Sequence, residues 1–508
     1  PKTMNTTTKL AAGAAMAIMM PTNGMNSVSA AEKNKATPNI VYILADDMGY
    51  GDVGAYSKEC RVPTPALDSL AADGIAFTDA HSNSAVSTPT RYGILTGRYA
   101  FRSRLKNGVL VGHDPSLIEP GRETVATLLH KAGYKTACVG KWHLGLDWAL
   151  RDNAKPPYTG NAWDIRDTGN IDYTGPVHGG PSDHGFDYSY IIPASLDIAP
   201  YVYIENGRVN SSVTSHVDDW QGEKAHGMWY RHGDVAENFN HAECLQHLTD
   251  RAVEYIASMA NGEEPFFLYF PLTAPHTPWL PSAEFEGRSG AGVYGDFVCM
   301  VDDVVRQVRE ALDRAGKLEN TILIFTTDNG ASWTEEDIRQ TGHRANAHFS
   351  GRKSDIWEGG HRVPFIVSWP AVIKEGRKSD EVICTTDLMA TCAEMTGQTL
   401  ADNAGEDSFS FWKVLTGESS ASPVREATVH HSIDGYFALR QGDWVYLDAR
   451  GSGGWTLPEN KAADLPAQQL YNLREDPGEK NNLADTYPEK VREMRSLLKR
   501  YVESGRSR

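Results

Sequence analysis

Four short, largely apolar runs in this chain each lead into residues able to do chemistry. That repetition constrains the fold more than any other feature. Residues 39–44 lead into Asp46 and Asp47, and residues 134–139 into Lys141 and His143. Residues 266–270 lead into Pro275 and His276, and residues 321–325 into Asp328 and Asn329. Short continuous apolar runs suit strands of a parallel sheet covered on both faces. Between them lie helical signals: Thr64 as a cap with Pro65 in the first turn, and residues 124–132. Open α/β sheets place their sites outside the carboxyl ends of their strands, so four such ends converge on one pocket. The fold class is α/β, a mostly parallel sheet between helices.

At 508 residues the chain exceeds the usual size of one domain. We divide it into a signal peptide at 4–30, a main domain at 38–419 and a small C-terminal α+β subdomain at 420–508. The last rests on short antiparallel strands at 428–432, 436–440 and 444–447 and an amphipathic helix at 488–503. Residues 148–240, rich in Gly, Pro, Asp, His and Tyr, read as loops over the strand ends, where specificity resides. The signal peptide rests on Lys9, the apolar run 10–20 and the small residues Val28-Ser29-Ala30. It predicts a periplasmic or secreted protein without a membrane anchor. A net charge of −17 argues against nucleic acid or anionic lipid as partners, so an anionic substrate needs a local cationic pocket. Six scattered cysteines form no CxxC pair; one or two disulfides are compatible with export. The absence of zinc-type spacing points to oxygen ligands for any metal.

Asp46, Asp47, Asp328 and Asn329 are all oxygen donors. Adjacent carboxylates repel unless a cation or hydrogen bonds compensate, and a hard divalent ion accepts several such oxygens. Calcium, magnesium and manganese all satisfy that reading. Ser87 is a weak nucleophile as encoded and needs a base or a metal to activate it. With Pro89 in the first turn it also reads as a helix start, which favours an anion. Arg91 and Lys141 are cations suited to developing negative charge, and His143 and His276 are candidate proton carriers.

These residues stand in Ser87-Thr88-Pro89-Thr90-Arg91, Leu95-Thr96-Gly97-Arg98, Gly140-Lys141-Trp142-His143 and Thr327-Asp328-Asn329-Gly330. Three further segments join them: Thr273-Ala274-Pro275-His276-Thr277-Pro278-Trp279, Lys353 four residues before Trp357-Glu358-Gly359-Gly360, and the tail at 470–479. The set, in this order, resembles the formylglycine sulfatase family in its serine-type branch, of the alkaline-phosphatase-like superfamily. Thr90 stands where that family usually has Ser or Ala, and the residues before Lys353 depart from its Gly-Gly-Lys-Gly form. The resemblance implies that a maturation enzyme oxidises Ser87 to formylglycine, whose hydrate attacks sulfur. It implies one calcium ion on Asp46, Asp47, Asp328, Asn329 and the modified Ser87, with Arg91, Lys141 and Lys353 around the sulfate. His143 then takes a proton from the hydrate, and His276 protonates the leaving alcohol.

The implied substrate is a sulfated carbohydrate, attacked in exo fashion at galactose or N-acetylgalactosamine units. His178, Asp197, Tyr201, His343, Arg344 and Trp357 are the candidates for sugar contact. Two other functions fit parts of the pattern. A phosphomonoesterase or phosphodiesterase of the same superfamily needs similar electrostatics; the formylglycine signature and a single apparent metal site argue against it, and a second metal would argue for it. A non-catalytic sulfated-glycan binder would keep Ser87 unmodified.

Overall fold

The computed structural model describes residues 37–508, so the signal segment 4–30 lies outside the described residues. An eleven-stranded sheet organises the main body. In chain order its strands are β1 (Asn39–Ala45), β2 (Ile75–His81), β3 (Lys135–Lys141), β4 (Tyr188–Ile192), β5 (Ile204–Glu205), β6 (Arg208–Val209), β7 (Phe266–Pro271), β8 (Thr321–Thr327), β9 (Arg362–Ser368), β10 (Arg377–Ser379) and β11 (Ile383–Cys384). Across the sheet they run β10-β2-β9-β8-β1-β7-β3-β4-β5-β6, with β11 also on β2. The centre, β8-β1-β7-β3-β4, is parallel; β9 runs antiparallel to both β8 and β2. Every residue of β1, β7 and β8 is buried, as expected of strands covered on both faces. These three and β3 are the runs singled out in the sequence. Residues 148–240 differ from the expectation of loops alone, since β4, β5 and β6 extend the sheet edge there.

The helices α1 (Pro65–Asp73), α4 (Cys244–Ser258) and α5 (Gly292–Arg314) pack together, as do α2 (Ser87–Thr96), α3 (Val125–Lys131) and α6 (Leu388–Met395). Both α3 and α4 lie on β3, so the two groups cover opposite faces of the sheet. Thr124 caps α3 by accepting the Thr127 N–H at 3.1 Å. Among the described residues, no helix is long and apolar enough to cross a membrane.

A second, antiparallel sheet comprises β12 (Thr428–His431), β13 (Phe437–Gln441), β14 (Trp444–Leu447) and β15 (Gln469–Asn472). The helix α7 (Pro488–Glu503) packs on β13 and β14 through Val491, Met494, Leu497, Leu498 and Tyr501. A buried polar seam ties this sheet to the main one. The His430 ring bonds the Ser82 carbonyl at 2.9 Å and stacks on His361 at 4.1 Å, and Arg440 grips Asp79 with two nitrogens.

All six cysteines are free, so none of the disulfides compatible with export is formed. They are dispersed among separate packed elements: Cys138 on β3, Cys244 on α4, Cys299 on α5, Cys384 on β11 and Cys392 on α6, with Cys60 in a loop.

Candidate active site

The four strand ends meet. β1 delivers Asp46 and Asp47, β3 delivers Lys141 and His143, the segment after β7 carries His276, and β8 delivers Asp328 and Asn329. Facing them, α2 begins at Ser87 and places Arg91 one turn further on. The turn before Trp357 brings in Lys353. All these residues are buried, with His276 and Lys353 the most accessible at 9 %. Asp47 and His143 hold φ of 63° and 56°, a region that side-chain-bearing residues rarely occupy and that concentrates at functional sites.

Around Ser87 the contacts are short. Arg91 Nε donates to Ser87 Oγ at 2.7 Å, and Arg91 Nη2 to Asp328 Oδ2 at 2.8 Å. Lys141 Nζ pairs with Asp46 Oδ2 at 2.7 Å, and Lys353 Nζ with Asp47 Oδ2 at 2.7 Å. Asn329 Nδ2 donates to Asp47 Oδ1 at 2.7 Å, and the Asp47 N–H to Asp328 Oδ1 at 3.1 Å. His143 lies with Nδ1 3.2 Å from Ser87 Oγ and Nε2 2.7 Å from the Leu110 carbonyl. A carbonyl only accepts, so Nε2 carries the hydrogen and the Nδ1 lone pair faces Ser87. His276 Nε2 is 3.1 Å from Lys353 Nζ and 3.6 Å from Asp47 Oδ2. Its Nδ1 is 3.7 Å from Asp197 Oδ1.

The electrostatics are tightly matched. Burial pushes the Asp46 carboxyl up, but Lys141, His276 and Arg91 outweigh it and hold it below the ordinary range. Burial lowers Lys141, and Asp46 recovers only part of that. For Lys353, Asp47 and Asp46 overcome burial and raise it. Burial, then Lys141 and Arg91, drive His143 well below its usual value, so its ring is neutral at neutral pH.

The donor set fits a hard cation. Three carboxylates and one amide converge, and both Asp46 Oδ1 and Asn329 Oδ1 are buried without a hydrogen-bond partner. Oxygens left over in this way suit a calcium-sized ion, which takes six to eight oxygen ligands. Asp46, Asp47 and His276 place ligand atoms within 4.8 Å of one another.

Above this floor opens a pocket of about 510 Å³, lined by Ser87, His143, Asp197, His276 and Lys353 together with Trp163, His226, Trp229, Arg231, Trp279 and Trp455. Asp197 is thus the one sugar-contact candidate placed in the pocket wall. Burial raises its carboxyl, but His276 and Arg231 prevail and hold it low, with Arg231 Nη1 at 2.7 Å. Tyr201 is buried behind the wall and donates its hydroxyl to the Arg231 carbonyl at 2.7 Å. Four candidates are corrected. The His178 side chain is exposed and faces Asp183 at 3.6 Å, because its backbone is paired with Asp147 away from the pocket. His343 is fully buried, and its ring is committed to Asp52 at 2.6 Å and the Arg61 N–H at 3.2 Å. The Arg344 side chain is exposed outside the pocket lining. Trp357 donates to Gln469 at 3.0 Å and packs on the small sheet.

Sequence reasoning missed Arg231, Trp163, Trp229 and Trp455. The available signal was tryptophan in loops, most visibly Trp455 after Gly453-Gly454.

Comparison with known proteins agrees with this geometry. The family model described as Sulfatase matches residues 38–398. A Bacteroides thetaiotaomicron N-acetylgalactosamine-6-O-sulfatase is 34 % identical over 504 residues, covering 92 % of this chain and 93 % of its own. Homo sapiens arylsulfatase A is 30 % identical over 486 residues, covering 91 % and 87 %. A solved sulfatase structure from work on Bacteroides thetaiotaomicron glycosaminoglycan metabolism superposes with a TM-score of 0.77 at 32 % identity, covering 91 % of this chain and 99 % of that one. A binding floor with matched charges, on an alkaline-phosphatase-like sheet, therefore has a family: the chain belongs to the sulfatases.

Proposed function

We propose that this sulfuric ester hydrolase removes O-sulfate from N-acetylgalactosamine or galactose units of a glycan, with the 6-sulfate the first candidate. It would use a formylglycine made from Ser87 and one calcium ion. One observation carries the reading. Asp46, Asp47 and Asp328 are matched by Arg91, Lys141 and Lys353 around Ser87, at the floor of a pocket wide enough for a sugar. The N-acetylgalactosamine-6-O-sulfatase similarity supports the sugar and the position.

Calcium on Asp46, Asp47, Asp328 and Asn329 would supply positive charge beside the sulfate and the oxygen at position 87. Formylglycine would supply, as its hydrate, a better nucleophile than a serine hydroxyl. The chain's own residues do the rest. Arg91 Nε holds the oxygen on residue 87 and, with Lys141, stabilises negative charge there. His143 accepts a proton at Nδ1, since Nε2–H is committed to the Leu110 carbonyl. Lys353 reaches from the pocket wall towards the sulfate. His276 protonates the departing sugar oxygen at Nε2, with its Nδ1–H donating to the Thr277 carbonyl at 2.5 Å and the Asp197 carboxylate 3.7 Å away on that side.

The proposal includes a maturation enzyme that oxidises Ser87 and export to the periplasm or beyond, the latter resting on residues 4–30. The test is release of inorganic sulfate from N-acetylgalactosamine 6-sulfate by protein matured in a competent host. Asp328→Ala should lose both bound calcium, read by elemental analysis, and turnover. Full activity of Asp328→Ala without metal would reject the reading.

A further inference from the structure

Five large apolar side chains stand exposed among the described residues, and both tryptophans in that group, Trp163 and Trp455, line the active-site pocket. Each is 45 % exposed. A large aromatic surface left in water beside convergent polar groups is the signature of a ligand site.

The two rings connect to the reacting centre differently. The Trp455 ring centroid is 5.8 Å from Lys353 Nζ, the ammonium that also contacts Asp47 and His276. Trp455 therefore borders the reacting centre. Trp163 is linked to that centre through intervening side chains. Its ring stacks on the Arg231 guanidinium at 4.9 Å, Arg231 pairs with Asp197, and Asp197 approaches His276. The other neighbour of Arg231 is Trp229, also at 4.9 Å. Asp197 Oδ1 is buried and without a hydrogen-bond partner, an acceptor waiting between the two rings' positions in this chain of contacts.

Trp455 is held ready. Its backbone N–H donates to Ser354 Oγ at 3.0 Å, and the next backbone N–H, of Thr456, to Asp355 Oδ1 at 3.1 Å. A Cβ on Gly454 would lie 2.4 Å from the Ser354 carbonyl oxygen, so only glycine lets the loop approach. The loop bearing Trp455 is thus fastened by its backbone to the turn bearing Lys353.

We propose that Trp455 and Trp163 form a saccharide-stacking subsite: Trp455 under the sugar that carries the sulfate, Trp163 under the next residue of the glycan. The inference rests on the sugar-sulfatase reading and adds to it a requirement for at least two sugars for full affinity. An apolar ring face suits the C–H face of a pyranose, while Asp197 and Arg231 read its hydroxyl and acidic groups.

The test uses protein with Ser87→Ala, which binds without turning over, and two probes: N-acetylgalactosamine 6-sulfate and a trisaccharide from chondroitin 6-sulfate. Calorimetry reads affinity. Adding Trp163→Ala should weaken the trisaccharide about tenfold and leave the monosaccharide within about twofold. Trp163→Tyr should restore most of the loss. Adding Trp455→Ala should weaken both probes about tenfold. Quenching of tryptophan fluorescence by the trisaccharide gives an independent readout without a substitution at either ring. If the sulfated sugars are turned over by wild-type protein but neither substitution changes affinity, the stacking subsite is overturned and the sulfatase reading stands. If neither probe binds nor is turned over, both fail together.

Discussion

His143 faces Ser87 Oγ through Nδ1 at 3.2 Å and His276 faces Lys353 through Nε2 at 3.1 Å, and in each case the second ring nitrogen is tied to a backbone carbonyl. His143 is neutral and points a lone pair at residue 87, so it accepts. His276 stands at the pocket wall between Asp47 and Asp197, the place from which we propose it protonates the departing oxygen. A sugar alkoxide leaves poorly without a proton, whereas an aryl oxide leaves well. His276→Ala should therefore slow hydrolysis of a sugar sulfate by ~10²–10⁴-fold and an activated aryl sulfate far less. Equal losses on both substrates would reject the assignment. The residues that converge around Ser87 were legible in the sequence because each follows a strand end or sits in a motif of fixed spacing. The residues of the pocket wall were not. Trp163, Arg231 and Trp455 come from loops far apart in the chain, and only tertiary packing brings them together. His343 misled for the same reason: a histidine near the motif residues proved to be a buried partner of Asp52.

At the scale of elements, the buried parallel strands announced themselves as apolar runs. Others did not. β9 contains Pro364, and its register with β2 shifts between Val363 and Phe365, so it lacks a clean strand pattern. β15 is only four residues long. Where strands approach most closely, the backbone sets the limit. Gly140, in β3 just before Lys141, has φ 134°, and a Cβ there would fall 1.9 Å from the Pro271 carbonyl oxygen of β7. Gly140→Val must push β3 away from β7 and move Lys141 off Asp46. A loss of about 3 kcal/mol in denaturant unfolding is expected, with turnover reduced even in the folded fraction. An unchanged midpoint would show that the contact yields without effect.

For the whole molecule, two sheets share buried polar surface, and pH tests how firmly they hold. Burial lowers His431, at the seam, and His113, behind the pocket, each to about 4. In the unfolded chain both titrate near the ordinary histidine value of about 6.5. Below that pH the unfolded chain binds protons that the folded chain refuses. This stabilisation is thus complete above roughly pH 6.5 and is lost as pH falls towards 4. Each group contributes a loss of about 2 kcal/mol by pH 5. The melting temperature should drop steadily from pH 7 to pH 5, and less so in His431→Gln provided it folds. A flat profile over that range would contradict the buried, neutral state of these rings.

All of this depends on what residue 87 becomes. The geometry puts Ser87 Oγ against Arg91 and His143, with Arg91 in turn on Asp328, which is the position of a nucleophile. A serine hydroxyl alone is a weak one. The most direct measurement is the mass of the peptide containing residue 87, taken from protein that releases sulfate from N-acetylgalactosamine 6-sulfate. The account predicts a peptide lighter by two hydrogens than the encoded serine form, in a fraction that tracks specific activity. A fully active preparation carrying only unmodified Ser87 would contradict it.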